Sequence, residues 1–450
     1  MNSPVNLCVI GQFVCRSAVI EDFMLFRCIC SFVILGFVIG RPGTESVIAS
    51  DWPQFRGPAG AGIADEHEYA TTWSSTENVA WKIELPGAGA SSPIAMGDRV
   101  FVTCYRGVDN ASSDLHKLER VLVCVNRADG TIVWDKTIKG TDDEDRFQGF
   151  ITGHGYATST PVTDGERVYV FYGKAGVFAF DLNGNQLWHA KVGNGSAQMG
   201  WGQGTSPILY KDTVIIPAFA ESKSVVALDR KTGNQVWKMD ADGFGGCWSS
   251  PILVDLPNGK QELVVSVPFE IWGLDPDNGD FLWFAEGVKE GVMCPTLAAS
   301  KGIVYAIGGR QGGAVAIRVG GRDDVTKSHT VWRKEIGSYV TSLVLVGDHL
   351  YWVSDRGIAV CVKTADGEQV YRERLGDASQ LYASVVAANG SLFAVSREKG
   401  TFVYAAKPQF ESVAKNSVDD DAGTCNATPA FSNGQMFLRT NRYLYCISRK

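Results

Sequence analysis

Asp229-Arg230-Lys231-Thr232-Gly233-Asn234-Gln235-Val236-Trp237 is the stretch on which the fold turns. Its Gly and Asn tolerate the positive φ angles that a tight hairpin turn requires. The alternation that follows puts Trp237 on one face of a strand, where it can pack between neighbouring sheets. The pattern recurs as Ala128-Asp129-Gly130-Thr131-Ile132-Val133-Trp134, Leu182-Asn183-Gly184-Asn185-Gln186-Leu187-Trp188 and Asn278-Gly279-Asp280-Phe281-Leu282-Trp283. Asp366-Gly367-Glu368-Gln369-Val370-Tyr371 carries Tyr371 at the Trp position. A longer polar stretch, Gly320 to Thr330, replaces the turn before Val331-Trp332.

Working outward, a small-polar pair before Pro marks the start of each unit. It reads Ser91-Ser92-Pro93, Ser159-Thr160-Pro161, Thr205-Ser206-Pro207, Ser249-Ser250-Pro251 and Ala427-Thr428-Pro429. Met293-Cys294-Pro295 reads as a degenerate copy, while Thr341-Ser342-Leu343 and Ala383-Ser384-Val385 keep the position without the proline. Each marker precedes a short apolar strand, a turn and a second strand such as Arg167-Val168-Tyr169-Val170. Four short strands per unit, repeating with a period in the forties, predict the blades of a β-propeller.

The predicted fold class is therefore all-β, an eight-bladed propeller of four-stranded antiparallel blades. The last unit, Thr428 to Lys450, supplies only three strands, and Asn78 to Leu85, bearing Trp81, supplies the missing outer one. This pairing closes the ring and leaves no open edge. Seven blades is the alternative, because the seventh unit, Ala383 to Phe410, has no Trp and a weak outer strand. The division expected is residues 1–49 as a targeting segment, 50–67 as an N-terminal extension and 68–450 as one propeller domain.

Composition agrees. The 450 residues are 45% hydrophobic and 20% charged, which excludes disorder, and the 50 Gly argue against a helical solenoid. A net charge of −7 argues against a nucleic-acid partner. From Met24, Met-Leu-Phe-Arg leads into an apolar run from Cys28 to Gly40, the pattern of a secretory signal. That run falls short of the ~20 residues of a spanning helix. Translation is expected to begin at Met24, with cleavage after Ala49. The mature product is expected to be exported, periplasmic or extracellular, with no transmembrane span. Seven cysteines lie beyond residue 49, without any Cys-x-x-Cys. Cys104 and Cys124 fall on adjacent strands of one blade and are either a disulfide or two buried thiols.

At these residues the chain resembles the quinoprotein-type, or PQQ-like, repeat propellers. The repeat Asp-x-x-Thr-Gly-x-x-x-Trp is matched throughout Asp229 to Trp237. Asp51-Trp52-Pro53-Gln54-Phe55-Arg56-Gly57-Pro58 looks like the opening of exported bacterial members. The resemblance implies one of two functions. One branch contains dehydrogenases using pyrroloquinoline quinone and Ca²⁺. The other contains non-catalytic propellers, including the lipoprotein scaffold of the outer-membrane β-barrel assembly machine. The vicinal Cys-Cys of the dehydrogenases is missing here. The function expected is thus a non-catalytic binding or assembly scaffold with protein partners in the cell envelope and no cofactor, the alternative being a quinone- and Ca²⁺-dependent dehydrogenase.

Candidate site residues lie where chain enters the inner strands: Gly153-His154-Gly155-Tyr156, Gly200-Trp201-Gly202-Gln203-Gly204 and Gly243-Phe244-Gly245-Gly246-Cys247-Trp248. His154, Tyr156, Trp201, Gln203, Phe244 and Trp248 either form a stacking ring for a planar or sugar-like ligand or plug the channel. The largest insertions, Tyr105 to Arg120 and Lys139 to Ala157, are expected on the same face. Two acidic runs, Asp142-Asp143-Glu144-Asp145 and Asp419-Asp420-Asp421, read as solvated loops. No catalytic or metal-ligating residues are assigned. Trp81, Trp134, Trp188, Trp237, Trp283, Trp332 and Tyr371 are assigned to packing.

Overall fold

The computed structural model describes residues 51–418 and 421–449. The expected targeting segment lies outside the described residues, as do Asp419 and Asp420 of the second acidic run. Eight antiparallel sheets follow one another along the chain. The first runs inner to outer as Ile94–Met96, Arg99–Arg106, Glu119–Asn126 and Ile132–Lys139. In each blade the second and third strands are almost wholly buried, because each sheet is packed between two others. The outer strands alternate instead, as in Gln235–Asp240, where Trp237 alone is buried.

The eighth blade consists of Ala430–Ser432, Gln435–Arg439, Tyr443–Ser448 and, from the other end of the chain, Val79–Glu84. Trp81 pairs with Cys446 across that junction. The expected closure and the eight-blade count both hold.

The repeated Trp joins one blade to the next. The Trp81 indole N–H donates to Arg127 O at 2.8 Å, Trp134 to Leu182 O at 2.9 Å and Trp188 to Arg230 O at 3.1 Å. Trp237 does the same with Pro276 O and Trp332 with Thr364 O. Every acceptor lies in the next blade's outer turn. The turn glycine sits on the indole face: a Cβ on Gly233, at φ +74°, would lie 2.7 Å from the Trp188 ring. Glycine thus serves twice, for its left-handed φ and for the close approach.

Trp283 departs from this pattern because the next unit lacks the turn. Its N–H goes to Glu262 Oε2 at 2.8 Å, which also accepts from Gly320 N. The polar stretch that replaces the turn adds a fifth strand, Asp323–Asp324, parallel to the outer strand Phe281–Glu286. Blade four is therefore five-stranded, where four strands were expected.

A second chain of contacts runs around the axis. Ser92 N donates to Thr160 Oγ1 at 3.0 Å, Thr160 N to Ser206 Oγ at 3.1 Å and Ser206 N to Ser250 Oγ at 3.0 Å. The series continues through Thr296 (3.3 Å), Ser342 (2.9 Å), Ser384 (3.0 Å) and Thr428 (3.0 Å). These are the marker hydroxyls, and one links every successive pair from blade one to blade eight. In blade five the position belongs to Thr296, two residues past the expected Cys294. The closing junction is also spanned by two buried arginines. Arg439 donates to Ser91 O and Oγ, and Arg127 donates to Ser432 O.

One open alternative is decided and one boundary is corrected. Cys104 pairs with Val121 and Cys124 with Phe101, so the two thiols are three positions out of register and face opposite sides of the sheet. Both are free and buried, in different core clusters. The seventh outer strand lies at Ser412–Asn416, beyond Phe410.

Gly233→Ala is expected to cost about 1–3 kcal/mol by overpacking against Trp188, over and above the strain of a left-handed alanine. Urea unfolding of the full chain measures this, and a change below ~0.5 kcal/mol would contradict the stacked-turn reading.

Candidate functional site

The two long insertions, connecting Arg99–Arg106 to Glu119–Asn126 and Ile132–Lys139 to Val162–Thr163, are fastened by buried charge. Arg120 donates from both terminal nitrogens to Glu144 at 2.7 Å, and from Nε to Tyr156 O at 3.1 Å. Both side chains of this pair are only 3% exposed. Lys174 donates to Asp143 O, to Asp145 Oδ1 at 2.9 Å and to Ser196 Oγ at 2.8 Å. Glu144 and Asp145 thus form a clasp rather than the solvated loop expected, while the Asp142 and Asp143 side chains stay exposed. The clasp's fixed geometry lays the helical turn Ile151–His154 over one end of the channel, where Gly153 O accepts from Asn426 Nδ2 at 2.7 Å.

Beneath this strap lies a cavity of about 320 Å³. Its construction follows the repeat. The lower tier is the ring of marker hydroxyls. The upper tier comes from residues two positions earlier in each unit, among them Thr158, Gly204, Trp248, Cys294, Tyr382 and Asn426. Ala90 and Val340 complete the eight. In an extended strand, residues two apart share a face, so every blade contributes one hydroxyl and one variable side chain.

The far end is covered by the N-terminal segment. Phe55 lines both this cavity and a second pocket of about 300 Å³ beyond it. Trp52 bridges to Ala95 of blade one, Thr163 N donates to Pro53 O, and Ala387 N of blade seven donates to Gly62 O. The fully buried Arg56 donates to Gly60 O, Ala61 O and Leu343 O. The Trp-Pro-Gln-Phe-Arg segment therefore ties separate blades together across the axis.

On one side of the mouth stand aromatic rings. The Trp201 and Trp248 centroids are 5.4 Å apart at 36°, and Phe150 meets Trp201 edge-on at 4.7 Å. Trp248 is oriented by its N–H bond to Gly202 O at 2.9 Å. His154 links this wall to the strap: Nε2 is 2.9 Å from Trp201 O and Nδ1 is 2.8 Å from Thr158 Oγ1. A carbonyl only accepts, so Nε2 carries the proton and Nδ1 accepts from the threonine. Burial lowers the imidazole pKa, which keeps this bridge neutral. Further round the ring, blades five to seven contribute Arg310, stacked 4.2 Å over Tyr339, together with Asp355 and Tyr382.

Of the six residues singled out in the sequence, His154, Trp201, Gln203 and Trp248 meet at the mouth. Tyr156 turns away to pack with Tyr105 and Phe147, its hydroxyl on Asp145 O. Phe244 is buried between Phe219 and Trp272. Sequence reasoning missed Arg310, Tyr339, Asp355 and Tyr382. For Tyr382 a signal existed, since it stands two residues before the marker Ser384.

The profile of the family described as outer membrane protein assembly factor BamB matches residues 70–243 and 249–373. The chain belongs to this family. Its fold is similar to that of BamB from Moraxella catarrhalis, at 15% identity and TM-score 0.58, over 83% of this chain and 97% of that one. It is also similar to the computationally designed Ika8 protein, at 12% identity and TM-score 0.54, covering 81% and 98%. A quinohemoprotein alcohol dehydrogenase from Comamonas testosteroni aligns at 13% identity and TM-score 0.43, covering 89% and 81%. No curated protein matches the sequence. No helix among the described residues is long and apolar enough to cross a membrane.

Beside the clasp, Glu221 is buried with Oε2 unpartnered, and burial pushes its carboxyl up to about 8, so it is protonated at neutral pH. Asp145 nearby raises it further, while Lys174 and Arg120 oppose the shift. In the unfolded chain it returns to the ordinary value of 4.5, so the wild type loses stability as pH rises from there to about 8. Glu221→Gln abolishes that loss. Its advantage over wild type is expected to be nil below the window and to grow by up to ~1.4 kcal/mol per pH unit within it, read from unfolding midpoints across pH. A constant difference would show the carboxyl to be ionised in the fold.

Proposed function

We propose that this propeller is an exported, non-catalytic scaffold that binds protein partners in the cell envelope, in the periplasm or outside the cell. The observation that carries the reading is the match to an assembly-factor family over residues 70–243 and 249–373. The architecture suits the role. A ring closed by its own N-terminal strand, with one end of the channel tied across by the Trp52–Arg56 segment, is a rigid platform. Its long loops gather on the other face, where binding residues tend to sit on such scaffolds.

The dehydrogenase reading draws support from the aromatic mouth, whose indoles could stack on a planar quinone. The donor set does not fit the accompanying metal. Ca²⁺ takes ~6–8 oxygen ligands, usually several carboxylates. The cavity is lined by one carboxylate, Asp355, which shares the rim with the cationic Arg310. Among the described residues no group of three or more His, Cys, Asp or Glu is placed to hold a metal ion.

Two measurements separate these readings. Cross-linking in intact cells is expected to join the protein reproducibly to a defined envelope protein, with the mature N-terminus at Ser50. Purified protein given pyrroloquinoline quinone and Ca²⁺ is expected to show no rise in Tm and no dye reduction with alcohols or sugars. Turnover in that assay, with no envelope partner captured, would replace the scaffold by the enzyme.

A further inference from the structure

We propose that the strapped mouth of the channel is a saccharide-binding site, a role independent of the scaffold reading. The two tiers of the cavity offer the two things a sugar ring needs. The first is an apolar, electron-rich surface for the face of the ring that carries axial C–H bonds. Trp201 and Trp248 supply it as adjacent tilted indoles, the second fixed by its hydrogen bond to Gly202 O and the first backed edge-on by Phe150.

The second is a mixed set of donors and acceptors at short range. In the lower tier, the hydroxyls of Thr160, Ser206, Ser250, Thr296, Ser342, Ser384 and Thr428 each accept a backbone N–H. A hydroxyl also has one proton to give. Among the described residues these seven protons have no acceptor recorded, so the cavity floor is a ring of donors. In the upper tier, Asn426 uses its Nδ2 on Gly153 O, while its buried Oδ1 has no partner. An unpartnered buried acceptor is costly, and a ligand hydroxyl reaching Oδ1 would relieve that cost.

The rim carries charge of both signs: Arg310, Asp355 and, stacked 4.7 Å over Tyr382 and donating to Gly153 O, Arg397. Planar polar side chains beside aromatic rings suit a ligand in which nearly every carbon bears an oxygen. A cavity of about 320 Å³ is at the small end of ligand sites, which suits one or two sugar rings. The opposite end is occupied by Phe55, so the ligand would enter and leave past the strap.

The test is titration of the exported chain with glucose, galactose, N-acetylglucosamine, maltose and cellobiose, followed by calorimetry and by Trp fluorescence. At least one is expected to bind with a Kd at or below the millimolar range. Trp201→Ala and Trp248→Ala are each expected to weaken binding about tenfold or more, and Trp201→Phe less. Asn426→Ala, which keeps the aromatic wall intact, is expected to weaken it as well. Thermal unfolding of each variant separates lost binding from lost fold. No binding of any of the five sugars at millimolar concentration would overturn the proposal. Binding unchanged in all the Ala variants would also overturn it, as would binding of benzoate in place of every sugar.

Discussion

At the entry to the inner strand of blades one to seven, a backbone N–H goes to a hydroxyl on the next blade, and the rest of the molecule is arranged around that exchange. A strand at the axis of a ring has a neighbour in its own sheet on one side only, and its remaining polar groups would otherwise face the channel. Ser or Thr at the marker position answers this with a side chain short enough to fit near the axis. The proline that usually follows it ends the exchange, since it has no N–H to satisfy. At the rim, the repeated Trp performs the corresponding service between outer turns. Near the axis the ties measure 2.9–3.3 Å, and at five of the junctions an indole adds a second at 2.8–3.1 Å on the periphery.

Because the hydroxyl tier is committed to holding blades together, variation is left to the tier two residues earlier. That tier runs from Gly204, which contributes no side chain, to Trp248, which contributes the largest. The asymmetry of the mouth, indoles on one side and charged or phenolic groups further round the ring, arises from eight independent choices on a common frame. The Arg120–Glu144 clasp then fixes the strap over the result. Burying such a pair brings little net stability, but losing one partner is costly, so the clasp acts chiefly to specify one loop conformation.

The fold was legible because its two constraints repeat. Asp-x-x-Thr-Gly-x-x-x-Trp and the small-polar pair recur often enough to count blades, and the orphan strand bearing Trp81 announced the closure. Reading failed where a unit departs from the repeat. Thr296 was passed over for Cys294, because the Pro that marked the other units stands one residue before the hydroxyl here. Likewise, nothing in Gly320 to Thr330 signalled a parallel fifth strand. The site was legible by half. Trp201 and Trp248 stand out as aromatics among glycines, whereas Arg310 and Asp355 belong to loops that only the ring brings into the same cavity. Tyr156 and Phe244 look the same in sequence as the true lining residues, and differ only in which side of their strand-entry the backbone turns. The buried roles of Glu144 and Asp145 were equally hidden, since an acidic run carries no sign of the arginine and lysine it will meet.

The hydroxyl exchange is most directly tested by Ser250→Ala. The change removes one Oγ, leaves the backbone path intact and strands the Ser206 N–H in the buried channel wall. Native-state hydrogen exchange and urea unfolding of the full chain should show a loss of about 1–3 kcal/mol. That loss should be shared by amides of all eight blades, because the ring opens as one unit. Unchanged stability, or faster exchange confined to the Ser206 and Ser250 strands, would contradict the account.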